Sequence, residues 1–235
     1  MPKSVILLSG GLDSAANLAI AVEQSEPVLA LTMNYGQRAA LREIESAQKF
    51  CEYYEVPHEV LDLPWLGELS HSALNQMDVS IPHVKTNELD VLKTTLASAQ
   101  KVWVPNRNGL FIEIAASFAE SLGATEVIVG FNAEEAVTFP DNSEAFVRSM
   151  NDSLCYSTAN RVQVVSYTQS WVKTQIVQKL VDLGNFPFDW IWSCYYGGDT
   201  ACQVCESCVR FQRAIQSAQV GVFRESEKGG LDPQL

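Results

Sequence analysis

Short apolar runs alternate with amphipathic stretches along the chain. Residues 4–8 form an apolar run of strand-forming side chains, and residues 27–33 and 56–61 repeat this pattern. Between these runs, apolar side chains recur at helical spacing over residues 15–23 and 39–54. Strands that alternate with helices of this length form βαβ units, so the pattern predicts a parallel sheet.

The second half of the chain carries the same alternation after a looser segment. Residues 64–105 are rich in Ser, Thr and Asn and predict an excursion over the sheet, with one helix near residues 88–99. A segment of that length inside a compact domain is usually a functional cover or a contact surface. The elements predicted after it are helices at residues 110–122, 143–156 and 171–183 and strands at residues 126–130 and 161–166.

These elements define an α/β fold class, a doubly wound and mostly parallel sheet. We expect one domain over residues 1–190, which includes the excursion at residues 64–105. A cysteine-rich segment follows at residues 191–220, and the polar residues 221–235 predict a flexible tail.

Composition narrows the class of partner. No apolar run reaches the roughly 18 residues that a membrane span needs, and the chain lacks the apolar stretch of a secretory signal at residues 1–8. We therefore expect a cytoplasmic protein that does not enter a membrane. The 16 basic and 28 acidic residues give a net charge of −12, whereas binding to nucleic acid needs basic surface. The expected partner is a small molecule or a protein, not a nucleic acid.

A glycine turn follows the first apolar run, with the sequence Ser9-Gly10-Gly11-Leu12-Asp13-Ser14. Adjacent glycines let the backbone approach a bulky anion, and the N–H groups of the following helix start favour negative charge. Ser9 and Ser14 add hydroxyl donors. A carboxylate at Asp13 would repel a phosphate unless a cation lies between them, so it suggests Mg²⁺. No Lys follows the glycines, which excludes the phosphate loop of ordinary nucleoside triphosphatases.

Four cysteines near the end of the chain have the spacing of metal ligands. They are Cys194, Cys202, Cys205 and Cys208. Four thiolates make a closed tetrahedral Zn²⁺ site that leaves no position for a substrate. We therefore expect a structural zinc ion that fixes this segment to the rest of the fold, with an iron-sulfur cluster as the competing interpretation. Cys51 and Cys155 lie in helical segments, where packed thiols are expected.

The glycine turn resembles the pyrophosphate loop of enzymes that split ATP into AMP and pyrophosphate while adenylating an oxygen, whose fold is similar to that of the adenine nucleotide alpha hydrolases. The cysteine-rich end from Trp192 to Arg210 resembles the zinc-binding end of the 7-cyano-7-deazaguanine synthases. Tyr35 to Arg38, Val104 to Asn108 and Lys173 also match that family's motifs. The resemblance covers nearly the whole chain.

The resemblance implies an enzyme that uses ATP, Mg²⁺, Zn²⁺ and ammonia to convert 7-carboxy-7-deazaguanine into the nitrile. The carboxylate is adenylated, ammonia displaces AMP to give an amide, and a second adenylation on the amide oxygen lets the nitrile form. Adenylation replaces a poor leaving group with a good one, and Mg²⁺ offsets the charge on the pyrophosphate.

The resemblance also implies roles for particular residues. Those expected at ATP are Leu8, Ser9, Gly10, Gly11, Leu12, Asp13, Ser14 and the backbone of Leu31. Those expected to act in catalysis are Asp13, Arg38, Arg107 and Lys173. Those expected at the deazaguanine are Tyr35, Gln37, Arg107, Asn108, Asn132, Glu135, Phe139 and Asp141.

Two departures from the family's pattern leave alternatives open. The family usually has a His after Arg38, where this chain has Ala39, and a Gly-Tyr-Pro-Asp-Cys-Arg loop, of which only Phe139-Pro140-Asp141 survives as an aromatic-Pro-Asp core. One alternative is a divergent relative that joins the deazaguanine carboxylate to a protein amine and stops at the amide. Another member of the pyrophosphate-loop group and a non-enzymatic nucleotide-binding module are further alternatives. A homodimer is expected in each case.

Overall fold

Five parallel strands form a single sheet at the centre of the molecule. The computed structural model describes residues 1–218. The strands run β1 Lys3–Leu7, β2 Glu26–Asn34, β3 His58–Asp62, β4 Glu126–Ile128 and β5 Gln163–Val165. Their order in the sheet is β3-β2-β1-β4-β5, and every neighbouring pair is parallel. The chain therefore winds outward from β1 in one direction and then returns to wind outward in the other.

Helices cover both faces of this sheet. In chain order they are α1 Leu12–Gln24, α2 Ala40–Tyr54, α3 Pro64–Leu69, α4 Leu92–Val102, α5 Arg107–Ser121, α6 Ala133–Ala136, α7 Glu144–Ser157, α8 Lys173–Asp182 and α9 Glu206–Ser217. Successive side chains of a strand point to opposite faces, and Val5 and Ile6 of β1 are both fully buried, each in a different apolar cluster. Two cores, one on each face, confirm the doubly wound α/β class.

The order of the strands fixes where a ligand can bind. In open α/β sheets ligands occupy the crevice at the carboxyl ends of the strands, where the winding reverses. Here the reversal lies at β1, whose neighbours are β2 and β4. The glycine turn at residues 9–11 follows β1 directly and so lies at this point.

The structure corrects several details of the sequence interpretation. The excursion at residues 64–105 contains α3 as well as the predicted helix, α4, and α6 and α9 were not predicted. α9 begins right after Cys205, within the metal-ligand spacing, so its helical pattern was hidden by that motif. Cys51 is buried as expected, whereas Cys155 is exposed, so the prediction of a packed thiol there was wrong. The predicted tail at residues 221–235 lies outside the described residues.

None of the helices within residues 1–218 has both the length and the apolar character that crossing a bilayer would require.

Candidate active site and cysteine cluster

A cavity of about 250 Å³ opens at the carboxyl ends of β1, β2 and β4. Residues predicted for ATP and for the deazaguanine meet there, although they come from distant parts of the chain. The predicted residues that line the cavity are Leu8, Ser9, Gly11, Leu12, Asp13, Ser14, Leu31, Tyr35, Arg107, Asn108, Glu135, Phe139 and Lys173. One cavity thus brings the glycine turn and most of the predicted substrate contacts together.

Close backbone contacts shape the glycine turn. Gly10 has a φ of +74°, and a Cβ there would lie 2.5 Å from the Ser46 side chain. Gly130, just after β4, passes so near the turn that a Cβ would lie 2.6 Å from the Ser14 backbone nitrogen. Only glycine fits both positions without moving the backbone. The sequence therefore specifies a turn that is held from two sides.

The start of α1 is open to an anion. Gly11 is the N-cap of α1 and provides no side-chain hydrogen bond to the first turn. The Ser9 and Ser14 hydroxyl oxygens are 3.1 Å apart and both line the cavity. Free N–H groups of a first helical turn, together with hydroxyl donors, form a ready site for phosphate.

A buried lysine faces two carboxylates beside this turn. The Lys173 Nζ lies 2.5 Å from Asp13 Oδ2 and 2.8 Å from Glu135 Oε1. Burial acts to lower the pKa of Lys173, but the two carboxylates outweigh it and raise that pKa above its ordinary value. Burial raises the pKa of Asp13 to about 6 despite the opposing charge of Lys173. Lysine therefore stays positively charged at the floor of the cavity.

Asp13 keeps one oxygen free. Its Oδ1 is buried and has no hydrogen-bond partner among the described residues. A buried carboxylate oxygen without a partner is costly unless a ligand or cation satisfies it. This oxygen is therefore suited to a hard cation such as Mg²⁺, which prefers oxygen ligands.

Arg107 dominates the opposite half of the cavity. It begins α5, and its Nη1 donates to the Tyr35 hydroxyl oxygen at 3.1 Å. Burial acts to lower the pKa of Arg107, but Tyr35, Asp141 and Glu43 outweigh it and raise that pKa. A guanidinium held in this way can bind a carboxylate or a phosphate through two hydrogen bonds.

Five of the residues predicted for ATP, catalysis or the deazaguanine do not line this cavity. The Arg38 Nη2 instead donates to the backbone oxygens of Gln76, at 2.5 Å, and Val79, at 2.6 Å, so it holds the excursion in place. The Gln37 side chain bonds to the backbone of Met33 and Tyr35. The five are Gly10, Gln37, Arg38, Asn132 and Asp141.

The other three residues that do not line the cavity, Asn132, Asp141 and Gly10, also have structural contacts. Asn132 is fully buried, and its Oδ1 accepts the Glu135 backbone N–H at 2.9 Å, which caps α6. Asp141 lies near enough to Arg107 to affect its pKa, and its backbone oxygen is 3.5 Å from Asn108 Nδ2. The Gly10 oxygen accepts hydrogen bonds from the Trp192 N–H at 3.0 Å and from Ser46 Oγ at 2.9 Å. These residues shape the cavity from behind its wall.

Several residues of the site were not assigned from the sequence, and three of them, Glu43, Glu134 and Tyr195, are ionisable. Glu43 and Tyr195 line the cavity. Glu134 lies behind it, where its Oε1 accepts the Lys173 backbone N–H at 2.9 Å and its Oε2 accepts from Arg210 Nη1 at 3.0 Å. Glu134 thus connects α9 to the start of α8. A sequence signal existed for Tyr195, which lies in the cysteine-rich end from Trp192 to Arg210, and for Glu43, an acidic residue shortly after the Tyr35 to Arg38 motif.

The four predicted metal ligands form one cluster. Their Sγ atoms all lie within 4.8 Å of one another, and those of Cys202 and Cys208 are 3.9 Å apart. The Cys194 Sγ accepts N–H groups from Tyr196 and Cys202, each at 3.3 Å. Four thiolates so grouped, with N–H donors pointing at them, fit a tetrahedral zinc ion. Cys194 also lines the cavity, so the cluster forms part of the wall of the site.

Fold, glycine turn and cavity together define an enzyme of the pyrophosphate-loop ATP pyrophosphatase class. The family model described as Queuosine biosynthesis protein QueC matches residues 3–219. The chain belongs to that family.

Similar proteins match this chain over nearly their whole length. A 7-cyano-7-deazaguanine synthase of Carboxydothermus hydrogenoformans is 53% identical over 214 residues, which cover 91% of this chain and 98% of the relative. Proteins of the same name from Bdellovibrio bacteriovorus and Methanosarcina mazei are 47% and 44% identical, with 94% and 92% of this chain covered and 95% and 94% of the relatives.

These relatives lend no support to the alternatives that the sequence left open. Ala39 and the altered loop around Phe139 occur in a chain that shares about half its residues with proteins named as synthases. Neither a protein-amine conjugating enzyme nor a non-enzymatic nucleotide-binding module is favoured by any of them.

Proposed function

We propose that this chain is a carbon-nitrogen ligase that converts 7-carboxy-7-deazaguanine into 7-cyano-7-deazaguanine, with ammonia as nitrogen donor and AMP and pyrophosphate as products from ATP. The observation that carries the proposal is the single cavity shared by the glycine turn, Lys173 and Arg107. An acid and the α-phosphate of ATP must meet in one enclosed space for adenylation to occur. The names of the relatives supply the identity of the acid.

In this proposal two adenylations occur in succession. A carboxylate oxygen attacks the α-phosphorus and pyrophosphate leaves; ammonia then attacks the acyl carbon, and AMP leaves with the oxygen to give the amide. The amide oxygen then attacks the α-phosphorus of a second ATP, and a second pyrophosphate leaves. AMP departs with that oxygen as the amide nitrogen loses two protons, which forms the nitrile. In each adenylation negative charge builds up on the departing pyrophosphate, so fixed positive groups lower the barrier.

In this proposal the residues that follow β1 bind ATP. The N–H groups at the start of α1 and the Ser9 and Ser14 hydroxyls would hold the pyrophosphate, with the Leu31 backbone near adenine. Asp13 Oδ1 would hold Mg²⁺, which would supply positive charge against the phosphates. Lys173, kept charged by its two carboxylates, adds a cation beside the same phosphates.

Arg107 positions the 7-carboxy-7-deazaguanine substrate. Its guanidinium is fixed by the Tyr35 hydroxyl and remains positively charged. It would grip the carboxylate of the substrate or the phosphate of the adenylate, and either contact orients the carboxyl toward ATP. Phe139 and Asn108 line the same half of the cavity and would contact the deazaguanine ring.

The cysteine cluster has a structural role in this proposal. A closed set of four thiolates would hold Zn²⁺ and leave no coordination position for substrate. Residues 191–220 would then form a zinc-bound segment attached to a nucleotide-binding domain at residues 1–190. The hydrogen bond from the Trp192 N–H to the Gly10 oxygen supports this arrangement, because it connects the segment to the glycine turn.

Mass spectrometry of the products tests the proposal. Purified protein is incubated with ATP, Mg²⁺, 7-carboxy-7-deazaguanine and an ammonium salt, and we expect the nitrile together with AMP. The variant Lys173→Met should lose this product, whereas the matched variant Lys179→Met, in the same helix and outside the cavity, should keep it. A product that stops at the amide, or wild-type protein that releases no AMP, would refute the assignment.

A further inference from the structure

We infer that Glu43 recognises the guanine edge of the substrate, its carboxylate accepting hydrogen bonds from the ring N1–H and from the exocyclic 2-amino group. This inference rests on the proposed function and assigns a specificity-determining residue within the same cavity. It would also explain how one cavity keeps two purine-like rings, the adenine of ATP and the deazaguanine, in separate places.

Elimination among the acidic groups singles out Glu43. Among the carboxylates of the described part of the chain, three line the cavity, those of Asp13, Glu43 and Glu135. Asp13 and Glu135 each form an ion pair with Lys173. Within residues 1–218, Glu43 forms no such pair, and its one hydrogen bond is to the neutral Gln37. Since the free oxygen of Asp13 is the one proposed for Mg²⁺, Glu43 is the cavity carboxylate that neither Lys173 nor the proposed cation would occupy.

The orientation of this carboxylate is fixed by its neighbour. The Gln37 side-chain oxygen accepts the Tyr35 N–H at 2.9 Å, and its Nε2 donates to the Met33 oxygen at 3.0 Å and to Glu43 Oε2 at 2.9 Å. These two backbone contacts fix the Gln37 amide, so the group that it presents to Glu43 is the Nε2 donor. Glu43 Oε1 accepts no hydrogen bond from the described residues, and Oε2 keeps a second lone pair.

The chemistry of the substrate matches this setting. Along one edge a 7-carboxy-7-deazaguanine presents two donors, the 2-amino group and N1–H, and then two acceptors, the ring carbonyl and the 7-carboxylate. A carboxylate beside a guanidinium is the complementary pair, because the first only accepts and the second only donates. Glu43 and Arg107 both line the cavity, and each influences the pKa of the other group.

Adenine would be rejected at the same place. Its N1 is an acceptor and it has no 2-amino group, so it would face Glu43 with a lone pair rather than a donor. A site built to pair substrate N–H groups discriminates strongly against analogues that lack them. Burial raises the pKa of the Glu43 carboxyl, which shows that its charge is costly without a partner. The two N–H donors of the substrate would offset that cost.

The test compares 7-carboxy-7-deazaguanine with its 2-desamino counterpart, 7-carboxy-7-deazahypoxanthine. For the wild-type protein we expect kcat/KM, measured by AMP release, to favour the 2-amino substrate by roughly 10- to 100-fold, as a charge-assisted hydrogen bond contributes. Glu43→Gln replaces one acceptor oxygen with an NH₂ donor and should bring this preference close to 1. The matched control Glu45→Gln, two residues away on the exposed side of α2, should keep the wild-type preference.

The outcomes separate the inference from the function on which it rests. No wild-type turnover of either substrate would refute both. Wild-type turnover without preference for the 2-amino group would refute the role of Glu43 alone, and needs no variant. A Glu43→Gln protein that keeps the wild-type preference, or that loses both substrates equally, would also refute it, because a purely structural role changes both rates alike.

Discussion

Replacement of Lys173 with Met should weaken the fold and abolish adenylation together. The Lys173 side chain is 6% exposed, and its partners Asp13 and Glu135 are 13% and 30% exposed. Removing the lysine leaves the largely buried carboxylate of Asp13 close to the partly buried one of Glu135, without a cation. Loss of one partner from a buried ion pair costs about 3–5 kcal/mol. For a chain of this size that free energy corresponds to a fall in Tm of roughly 6–20 °C.

The pH dependence of this loss has a definite sign. In the wild-type protein the pKa of Asp13 is raised to about 6, so its ionised form opposes folding as the pH rises from its ordinary value of 3.8 toward 6. Lys173 acts to lower that pKa, so the variant should raise it further. The stability lost in Lys173→Met should therefore be greatest at neutral pH and smaller in mild acid, where Asp13 is protonated.

Urea unfolding and AMP release provide the two assays. We expect Lys173→Met to lose at least 100-fold in adenylation rate, the size typical of removing one electrostatic contact to a transition state. The double variant Lys173→Met with Asp13→Asn should regain part of the stability, because one unpaired charge is gone, but none of the activity. Lys179→Met should change the free energy of unfolding by less than about 0.5 kcal/mol. A Lys173→Met protein as stable as wild type, or no recovery in the double variant, would contradict the reasoning.

Three further predictions concern the nucleotide site. Gly130→Ala should weaken ATP binding, measured by calorimetry, at least tenfold, because the new Cβ would lie 2.6 Å from the Ser14 nitrogen. The circular dichroism spectrum should stay unchanged. An unchanged ATP affinity would mean that the turn can shift freely. Mg²⁺-dependent ATP binding should decline as the pH falls through about 6, since protonation of Asp13 removes the charge that would hold the cation; a flat profile from pH 5 to 8 would exclude Asp13 from this part. Treatment with a chelator, which would remove the proposed zinc ion, should reduce ATP affinity as well as Tm, because Trp192 would no longer hold the Gly10 oxygen. Chelator-treated protein with normal ATP affinity would show that the two sites are independent.

Local sequence patterns predicted the elements that local interactions decide. The strands β1 and β2 follow from continuous apolar runs, and the turn after β1 follows from adjacent glycines with hydroxyl donors. The spacing of four cysteines predicted their cluster, because Cys-x-x-Cys turns bring thiolates together within a few residues. In each case the physical cause lies within a short stretch of chain.

Contacts between distant residues could not be predicted in this way. Nothing near Lys173 in the sequence indicates that Asp13 lies against it, and nothing near Glu134 indicates Arg210. Arg38 belongs to a predicted site motif, yet its guanidinium donates to the backbone oxygens of Gln76 and Val79 in the excursion. The direction of a side chain depends on the fold around it, so it cannot be predicted from the neighbouring residues in the sequence.

The hydrogen bond between Trp192 and Gly10 has a consequence for the newly made protein. A ribosome makes the chain in the N- to C-terminal direction, so the glycine turn emerges well before the N–H of Trp192 that holds the Gly10 oxygen. The hexapeptide is thus present long before the turn has all of its contacts. A chain interrupted before Trp192 would contain the glycine-turn hexapeptide but not a complete nucleotide site. ATP would therefore bind fully only after Trp192 has been added.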